Sequence, residues 1–393
     1  MRKIALLSDH YPPRRGGFSR YVYELSRHWA RLGWQVQVYT TVAGAAVPEG
    51  DVPGLQLIQL PPRANHYPGA FLRFARFIWQ AYRQGTSLLF FPVWNPYAVY
   101  VPLLRRLTGR RFKIVIGTHA AEVLALFPGS SFPEKELFKA LGRRALRIAD
   151  CVFTISRFTA DRLKALGVSA SRISIFPNGV DGERFHPLPV DRQALFRRYN
   201  IPGKPELVLL TVAQLNPRKG IDTAIRAVRE LKNRGLPVTY LVIGSGPDEA
   251  RLRQMIQQLK LNDSVFLLPA VDDQGLLEFY NAADVFLLLS RQEGDLNVEG
   301  FGLVLLEAGA CGVPVVAGRS GGIPDAVADG ESGFLVDPLN VNEICRRLQG
   351  LLADPQLRRR MGEKGRTLAV SRFNWANICA AMGEQLEKLL TGR

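Results

Sequence analysis

Glu299 and Glu307 stand eight residues apart in the segment Ser290–Ala308, SRQEGDLNVEGFGLVLLEA. An apolar run, Val285–Leu289, precedes the segment, and Gly300-Phe301-Gly302 opens what reads as a helix. The amides of Phe301, Gly302 and Leu303 at such a helix start can hold an anion such as a phosphate. Glu307 falls inside the helix, among Leu303, Val304, Leu305, Leu306 and Ala308. A carboxylate among so many apolar neighbours needs hydrogen-bond donors, and the ribose of a nucleotide could supply them. A charge that favours the helix start, plus a satisfied buried glutamate, is the other reading, and spacing alone leaves both open.

Three further loops carry candidate chemistry. Gly16 and Gly17 follow the first apolar run, where paired glycines let backbone amides approach a diphosphate or a sugar. The pattern is not G-x-G-x-x-G, so a nicotinamide fingerprint is missing. His119 follows the run Lys113–Gly117, placed to donate to a sugar hydroxyl, with Glu122 able to orient its loop. Arg218 and Lys219 sit at a loop-to-helix junction after Leu207–Ala213, where two cations suit a leaving diphosphate as charge grows on it. A structural histidine and a solvated basic turn are the plain alternatives.

Glu299-x7-Glu307 and the EGFG turn are followed by Gly312-Val313-Pro314-Val315-Val316 and Gly321-Gly322-Ile323-Pro324-Asp325. Together these resemble the large retaining glycosyltransferase family with the GT-B fold, and within it the phosphatidylinositol mannosyltransferases and related lipid or polysaccharide glycosyltransferases. The resemblance covers nearly the whole chain. It implies a retaining transfer of a hexose, with GDP-mannose favoured, from a nucleotide sugar to a lipid-linked or glycan acceptor. Glu299 would meet the donor sugar's hydroxyls and Glu307 the ribose. Gly16 and Gly17 become donor-side residues, and His119 lies near the transferred sugar. Lys219 matches the family's lysine. Gln214 stands where the family often has arginine, which leaves Arg218 to make up the lost charge. Gly244, in Gly244-Ser245-Gly246-Pro247, matches a turn near the nucleotide. Val271 and Asp273 fall where the family contacts the base. Asp273 could accept from guanine N1–H and N2–H2 together, although a helix N-cap explains it equally.

No D-x-D, no H-E-x-x-H and no cluster with metal-ligand spacing occurs in the sequence. The expectation is a diphosphate neutralised by Lys219, Arg218 and helix amides, with no metal and no cofactor beyond the nucleotide-sugar co-substrate. A sugar-nucleotide epimerase on the same scaffold and a non-catalytic basic lipid-binding protein are the competing functions. The second leaves Glu299, Glu307 and the phosphate-like loops unexplained.

Residues so placed need strands whose carboxyl ends point at one ligand. The 393 residues suit two domains, and short β-branched runs alternate with helical patterns throughout. In the first half the predicted strands are Ile4–Ser8, Gln35–Thr40, Leu88–Phe91, Lys113–Gly117 and Cys151–Ile155. In the second they are Leu207–Ala213, Thr239–Ile243, Val265–Leu268, Val285–Leu289, Pro314–Ala317 and Gly333–Val336. The predicted fold is α/β, with two Rossmann-like domains facing across a cleft. The N-terminal acceptor domain spans 1–186 and ends at the proline-rich joint Phe185–Pro189. The donor domain spans 187–374, and a helix over 375–393 returns to the first domain.

Charge is divided unevenly. Residues 1–185 carry 26 Lys and Arg against 11 Asp and Glu, whereas residues 186–393 carry 25 against 24. A basic first half implies an anionic partner. With the family resemblance, that partner is expected to be a lipid-linked acceptor and a membrane surface, not nucleic acid. Two helical patterns could provide the contact: Phe71–Arg83 with Arg73, Arg76 and Arg83 on one stripe, and Lys135–Arg147 with Lys139 and Arg143. Each could equally pack on the domain with its cations in water. The uncharged stretch Leu88–Leu104 is broken by Pro92, Pro96 and Pro102, against a membrane span. The four cysteines are far apart, which fits a reducing compartment. The expected location is cytoplasmic, peripheral at the inner face of the membrane.

Overall fold

A computed structural model describes residues 2–14, 16–45, 52–62, 67–94, 96–126, 136–203, 207–236, 238–294 and 297–392. The chain divides into two compact units, Met1–Asn178 with Trp375–Arg393, and Gly179–Asn374.

The first unit runs β1 (Lys3–Ser8), α1 (Gly17–Arg31), β2 (Gln35–Thr40), β3 (Leu55–Gln59), α2 (Tyr67–Arg83), β4 (Leu88–Phe91) and α3 (Val101–Thr108). It continues with β5 (Lys113–Thr118), α4 (Ala121–Leu124), α5 (Glu136–Ile148), β6 (Cys151–Thr154), α6 (Arg157–Ala165) and β7 (Ile173–Ile175). Its seven strands are parallel, in the order β3-β2-β1-β4-β5-β6-β7. Strands covered by helices on both faces read as unbroken apolar runs, and Leu88–Phe91 is buried at all four positions.

The second unit runs α7 (Arg192–Arg198), β8 (Leu207–Val212), α8 (Ile221–Asn233), β9 (Val238–Ile243), α9 (Glu249–Gln258), β10 (Val265–Leu268) and α10 (Asp273–Ala282). Then come β11 (Val285–Leu288), α11 (Leu303–Ala310), β12 (Val315–Gly318), α12 (Ile323–Ala326), β13 (Gly333–Val336), α13 (Val341–Ala353) and α14 (Pro355–Ser371). Its parallel sheet has the order β10-β9-β8-β11-β12-β13. In both sheets the order reverses direction beside the first strand of the unit, at β1/β4 and at β8/β11. Such a switch point opens a crevice at the carboxyl ends of the strands.

The last helix, α15 (Trp375–Thr391), belongs to the first unit and lies along α1. Trp29 Nε1 donates to the Cys379 carbonyl at 3.0 Å, and Trp375 meets Tyr21 edge-on. Ile378, Met382 and Leu386 are buried there, and each such side chain is worth about 1.5–3 kcal/mol on removal from water.

The joint expected at Phe185–Pro189 lies inside the second unit, and the division falls earlier, between Asn178 and Gly179. Val180 already bonds the Phe373 carbonyl, and Phe185 packs edge-on against Tyr280, so the chain has entered the second core before its prolines.

The basic stripes need two corrections. Arg73 is buried, because it falls three residues after Ala70 and four before Phe77, on the face of α2 that packs inward. Its Nε donates to the Tyr97 hydroxyl at 3.2 Å. Lys139 is also buried and donates to Glu136 at 2.7 Å, while Leu137 of the same helix is exposed. Arg143 lies 4.0 Å from Glu136. Arg76 and Arg83 are exposed, as expected. Lys135 lies outside the described residues. Among the described residues no helix is long and apolar enough to cross a membrane.

Candidate functional site

At the β8/β11 switch point the structure brings three of the predicted residues together. The turn after β8 carries Arg218 and Lys219 and ends on Gly220, a left-handed residue with φ 67°. A Cβ at Gly220 would stand 2.0 Å from the Leu289 carbonyl oxygen at the end of β11, so only glycine lets the turn lie there. The Arg291 amide donates to the Arg218 carbonyl at 2.8 Å, tying the turn to the segment that leads to Glu299. Arg218 Nη1 and Lys219 Nζ both donate to Glu299 Oε2, at 2.6 and 2.5 Å. The Ser290 hydroxyl approaches the same oxygen at 3.4 Å.

Burial alone would raise the pKa of Glu299. The charges of Lys219 and Arg218, and the hydrogen bonds from both, instead bring it down to about 2. Two cations against one carboxylate leave a local excess of one positive charge, which suits a further anion. The backbone of Glu299 is held too. Its carbonyl accepts from the Gly322 amide at 2.9 Å, and a Cβ at Gly321 would come within 2.3 Å of that oxygen.

Gly302, with φ 90°, caps the N-terminus of α11, so Leu303 opens the helix with its amide at the positive end of the dipole. Phe301 is buried against Phe373. Glu307 finds its donor in the protein, for the Tyr280 hydroxyl donates to Oε2 at 2.6 Å. Its half-buried position therefore does not by itself require a ribose.

Gly244 has φ 149°, and a Cβ there would meet the Ala213 carbonyl oxygen at 2.0 Å. The loops after β8 and β9 thus interlock, with Leu215 donating to Ser245 and Asp248 to Leu215. Gln214 is exposed, and its side-chain oxygen takes a 3.4 Å contact from the Asn216 amide group. The N-cap of α10 is Asp272, which accepts from the Gly275 amide at 2.7 Å. Asp273 is the first helical residue. Its side chain is exposed and paired with Arg184 at 2.7 Å, with Val271 half-buried before it.

In the first unit Gly16 has φ 129° and precedes α1, which Gly17 begins. His119 follows β5 and is buried beside the start of that helix, edge-on to Phe18 and Tyr21 at 4.8 and 4.6 Å. Burial, and the nearby His10, bring its pKa to about 4 despite a bond to a carbonyl, so the ring is neutral at pH 7. Nε2 lies 3.1 Å from the Pro92 carbonyl oxygen. A ring nitrogen facing a carbonyl must carry the proton. The donor expected for a sugar hydroxyl is therefore spent on Pro92, and Nδ1 remains as an acceptor. The His119 amide donates to Glu122, which fixes the strained Ala120 turn at φ 86°. Burial pushes Glu122 up to about 7.

Sequence reasoning missed the close approach that Gly220 allows and the Asp222–Arg291 pair, which bonds at 2.9 and 3.2 Å behind the Arg218 turn. The G in Arg218-Lys219-Gly220 was the available signal for the first. The Asp222–Arg291 pair joins residues 69 apart and has no local signature. Among the described residues no three His, Cys, Asp or Glu side chains come together as a metal site.

Comparison with known proteins gives the family. Residues 15–184 match the family described as Glycosyltransferase Family 4, and residues 191–368 match Glycosyl transferases group 1. The chain is 34% identical over 396 residues to a GDP-mannose-dependent alpha-(1-6)-phosphatidylinositol monomannoside mannosyltransferase of Mycolicibacterium smegmatis, covering 99% of this chain and 98% of that one. It is 29% identical to the Mycobacterium tuberculosis protein of the same name, covering 98% of each. Among solved structures, sucrose-phosphate synthase from Thermosynechococcus elongatus superposes with a TM-score of 0.79 at 26% identity over the full length of both. Anabaena Alr3699/HepE in complex with UDP and glucose superposes at 0.77 and 20% identity, over 99% of this chain and 100% of that one. The chain belongs to the glycosyltransferases of the GT-B type.

Proposed function

We propose that the protein transfers mannose from GDP-mannose to an anionic, lipid-linked acceptor, with retention at the anomeric carbon and without a divalent metal. The carrying observation is the convergence of Arg218 and Lys219 on Glu299 at the β8/β11 switch point. The full-length relatives named for GDP-mannose and phosphatidylinositol monomannoside favour this donor and acceptor class. In the reaction an acceptor hydroxyl oxygen bonds to the anomeric carbon and the bond to the diphosphate oxygen breaks. The hydroxyl proton passes to the departing diphosphate. Charge grows on that leaving group, and Lys219 and Arg218 stabilise it, aided by the amides at the start of α11. Glu299, released in part from its cations, accepts from hydroxyls of the sugar. Glu307 shares its carboxylate between Tyr280 and the ribose. His119 accepts a sugar hydroxyl through Nδ1. Gly16, Gly17 and Gly244 allow close backbone approach, and Val271 and Asp273 lie toward the base. The acceptor is met at the cytoplasmic face of a membrane, with the protein bound peripherally.

The test is transfer from GDP-mannose to phosphatidylinositol-type lipid in detergent and excess EDTA, with product configuration read by NMR. The expected result is an α-mannoside formed at a rate within a few-fold of the untreated enzyme, together with a thermal shift by GDP exceeding that by UDP or ADP. Complete loss in EDTA restored by Mg²⁺, an inverted product, or stronger stabilisation by UDP would each overturn the corresponding part.

A further inference from the structure

Eleven large apolar side chains are exposed among the described residues; six of them come from two helices of the first unit, and five of those six line one groove. Phe71, Leu72, Trp79 and Tyr82 come from α2, and Leu103 and Leu107 from α3, with exposures between 40% and 73%. Between the two helices lies a groove of about 370 Å³, floored by Phe74, Leu104 and Phe112. A contiguous apolar surface of this kind on a water-facing domain marks an interaction site.

Charge on the same segment is one-sided. From Val52 to Ala121 the sequence has nine Lys and Arg and no Asp or Glu. Two of the arginines are committed inside the fold, Arg73 to Tyr97 and Arg105 to Asp150. Arg76, Arg83, Arg106, Arg110 and Arg111 are exposed on these two helices and just after them, and Arg111 lines the groove. Arg83 lies 4.9 Å over the Trp79 ring and Arg111 lies 4.1 Å over Tyr82, so cations border the aromatic groups directly.

We infer that the α2–α3 groove is a membrane-insertion face, with its aromatic and leucine side chains entering the acyl region of an anionic bilayer and the five arginines meeting lipid phosphates. This rests on the lipid-linked acceptor reading above and names the surface that would serve it. A bilayer matches the depth order of the surface, apolar at the crest and cationic around it. A second copy of this chain does not, since the isologous contact would set the five arginines against their own images with no acidic residue in the segment to offset them. The inward Arg73 gives the face a rigid seat. Through Tyr97, whose hydroxyl donates to Asp9 Oδ1 at 2.6 Å, it ties α2 to the chain just beyond β1. The docking element is thus this groove and not the Arg73–Arg76–Arg83 stripe.

Trp79 supplies the probe, because Trp29, Trp34, Trp94 and Trp375 are all buried. The full-length chain is mixed with vesicles of phosphatidylcholine containing one-third phosphatidylglycerol, with and without brominated acyl chains, and with neutral vesicles. Neither donor nor acceptor is present, so the result is independent of the transfer reaction. Expected are co-sedimentation with the anionic vesicles that falls at high salt, and bromine quenching that vanishes in Trp79→Phe. Leu72→Gln combined with Leu107→Gln should weaken vesicle partition by about tenfold or more, with thermal unfolding and GDP binding unchanged. Vesicle binding without quenching would place the contact on another face. Concentration-dependent dimerisation that protects Trp79 would make a second copy the occupant. No vesicle binding at low salt would end the inference. If the Leu72/Leu107 variant still transfers mannose to detergent-dispersed lipid, the donor site stands whatever the fate of this surface.

Discussion

Two half-buried glutamates, one in each unit, sit in opposite electrostatic settings. Glu299 is brought to a pKa of about 2 by Lys219 and Arg218, against the effect of burial. Glu122 is pushed up to about 7 by burial, which backbone hydrogen bonds only partly counter. The same side chain is therefore an anion in one unit and only about half ionised near neutral pH in the other. Burial does not decide which, whereas the presence of paired cations does. The outer surfaces differ in the other direction, since the unit with the neutral histidine and glutamate carries the basic segment and the apolar groove.

The largest expected effect falls on the charged site. Lys219→Ala should lower kcat by about 10²–10³, as for the loss of one preorganised donor to a developing charge. Steady-state kinetics at saturating GDP-mannose measure this, and near-normal turnover would put the diphosphate elsewhere.

The pH dependence of stability separates the two carboxylates. Glu299 has a folded pKa below its usual value of 4.5. Its contribution is therefore present above that value and lost as pH falls toward 2, amounting to about 3 kcal/mol. Glu122 has the opposite sign. Its contribution is present below pH 4.5 and is lost as pH rises through about 7. Denaturant unfolding at a series of pH values should show Glu299→Gln losing its disadvantage to the parent in acid. Glu122→Gln should gain on the parent between pH 5 and 8. Parallel profiles would contradict the assigned settings.

Tyr280→Phe removes the hydroxyl that donates to Glu307 and should cost about 1–3 kcal/mol, the net contribution of a hydrogen bond to a charged acceptor. GDP should recover part of this if the ribose replaces the lost donor, and equal GDP-induced shifts in parent and variant would argue against a ribose contact. The smallest effect is expected at Asp273. Its exposed pair with Arg184 is worth under about 1 kcal/mol, so Asp273→Ala should leave the melting temperature nearly unchanged. A selective loss of GDP affinity, with weak UDP binding untouched, would give Asp273 a role in reading the base.

Legibility in the sequence followed burial. All six strands of the second sheet are apolar enough to be recognised in order. In the first sheet β3 and β7 escaped recognition, and these are its two edges, where polar and half-exposed residues break the apolar run. The candidate loops stood out in the sequence because glycines and charges follow strand ends there. What the sequence could not reveal was pairing across distance. A sequence separation of 80 between Lys219 and Glu299 hides an ion pair. Tyr280 lies 27 residues from the carboxylate it satisfies. The inward turn of Arg73 and Lys139 was hidden for a different reason, since a cation on a helix reads as solvated until its partner is known.

The central claim is that Arg218, Lys219 and Glu299 form the donor-diphosphate site. Calorimetric titration of GDP and GMP into the parent and Lys219→Ala, in excess EDTA, tests it most directly. The parent should bind GDP more tightly than GMP, and the variant should lose most of that difference while keeping its GMP affinity. An unchanged preference for GDP in the variant, or a preference in the parent that EDTA abolishes, would contradict the account.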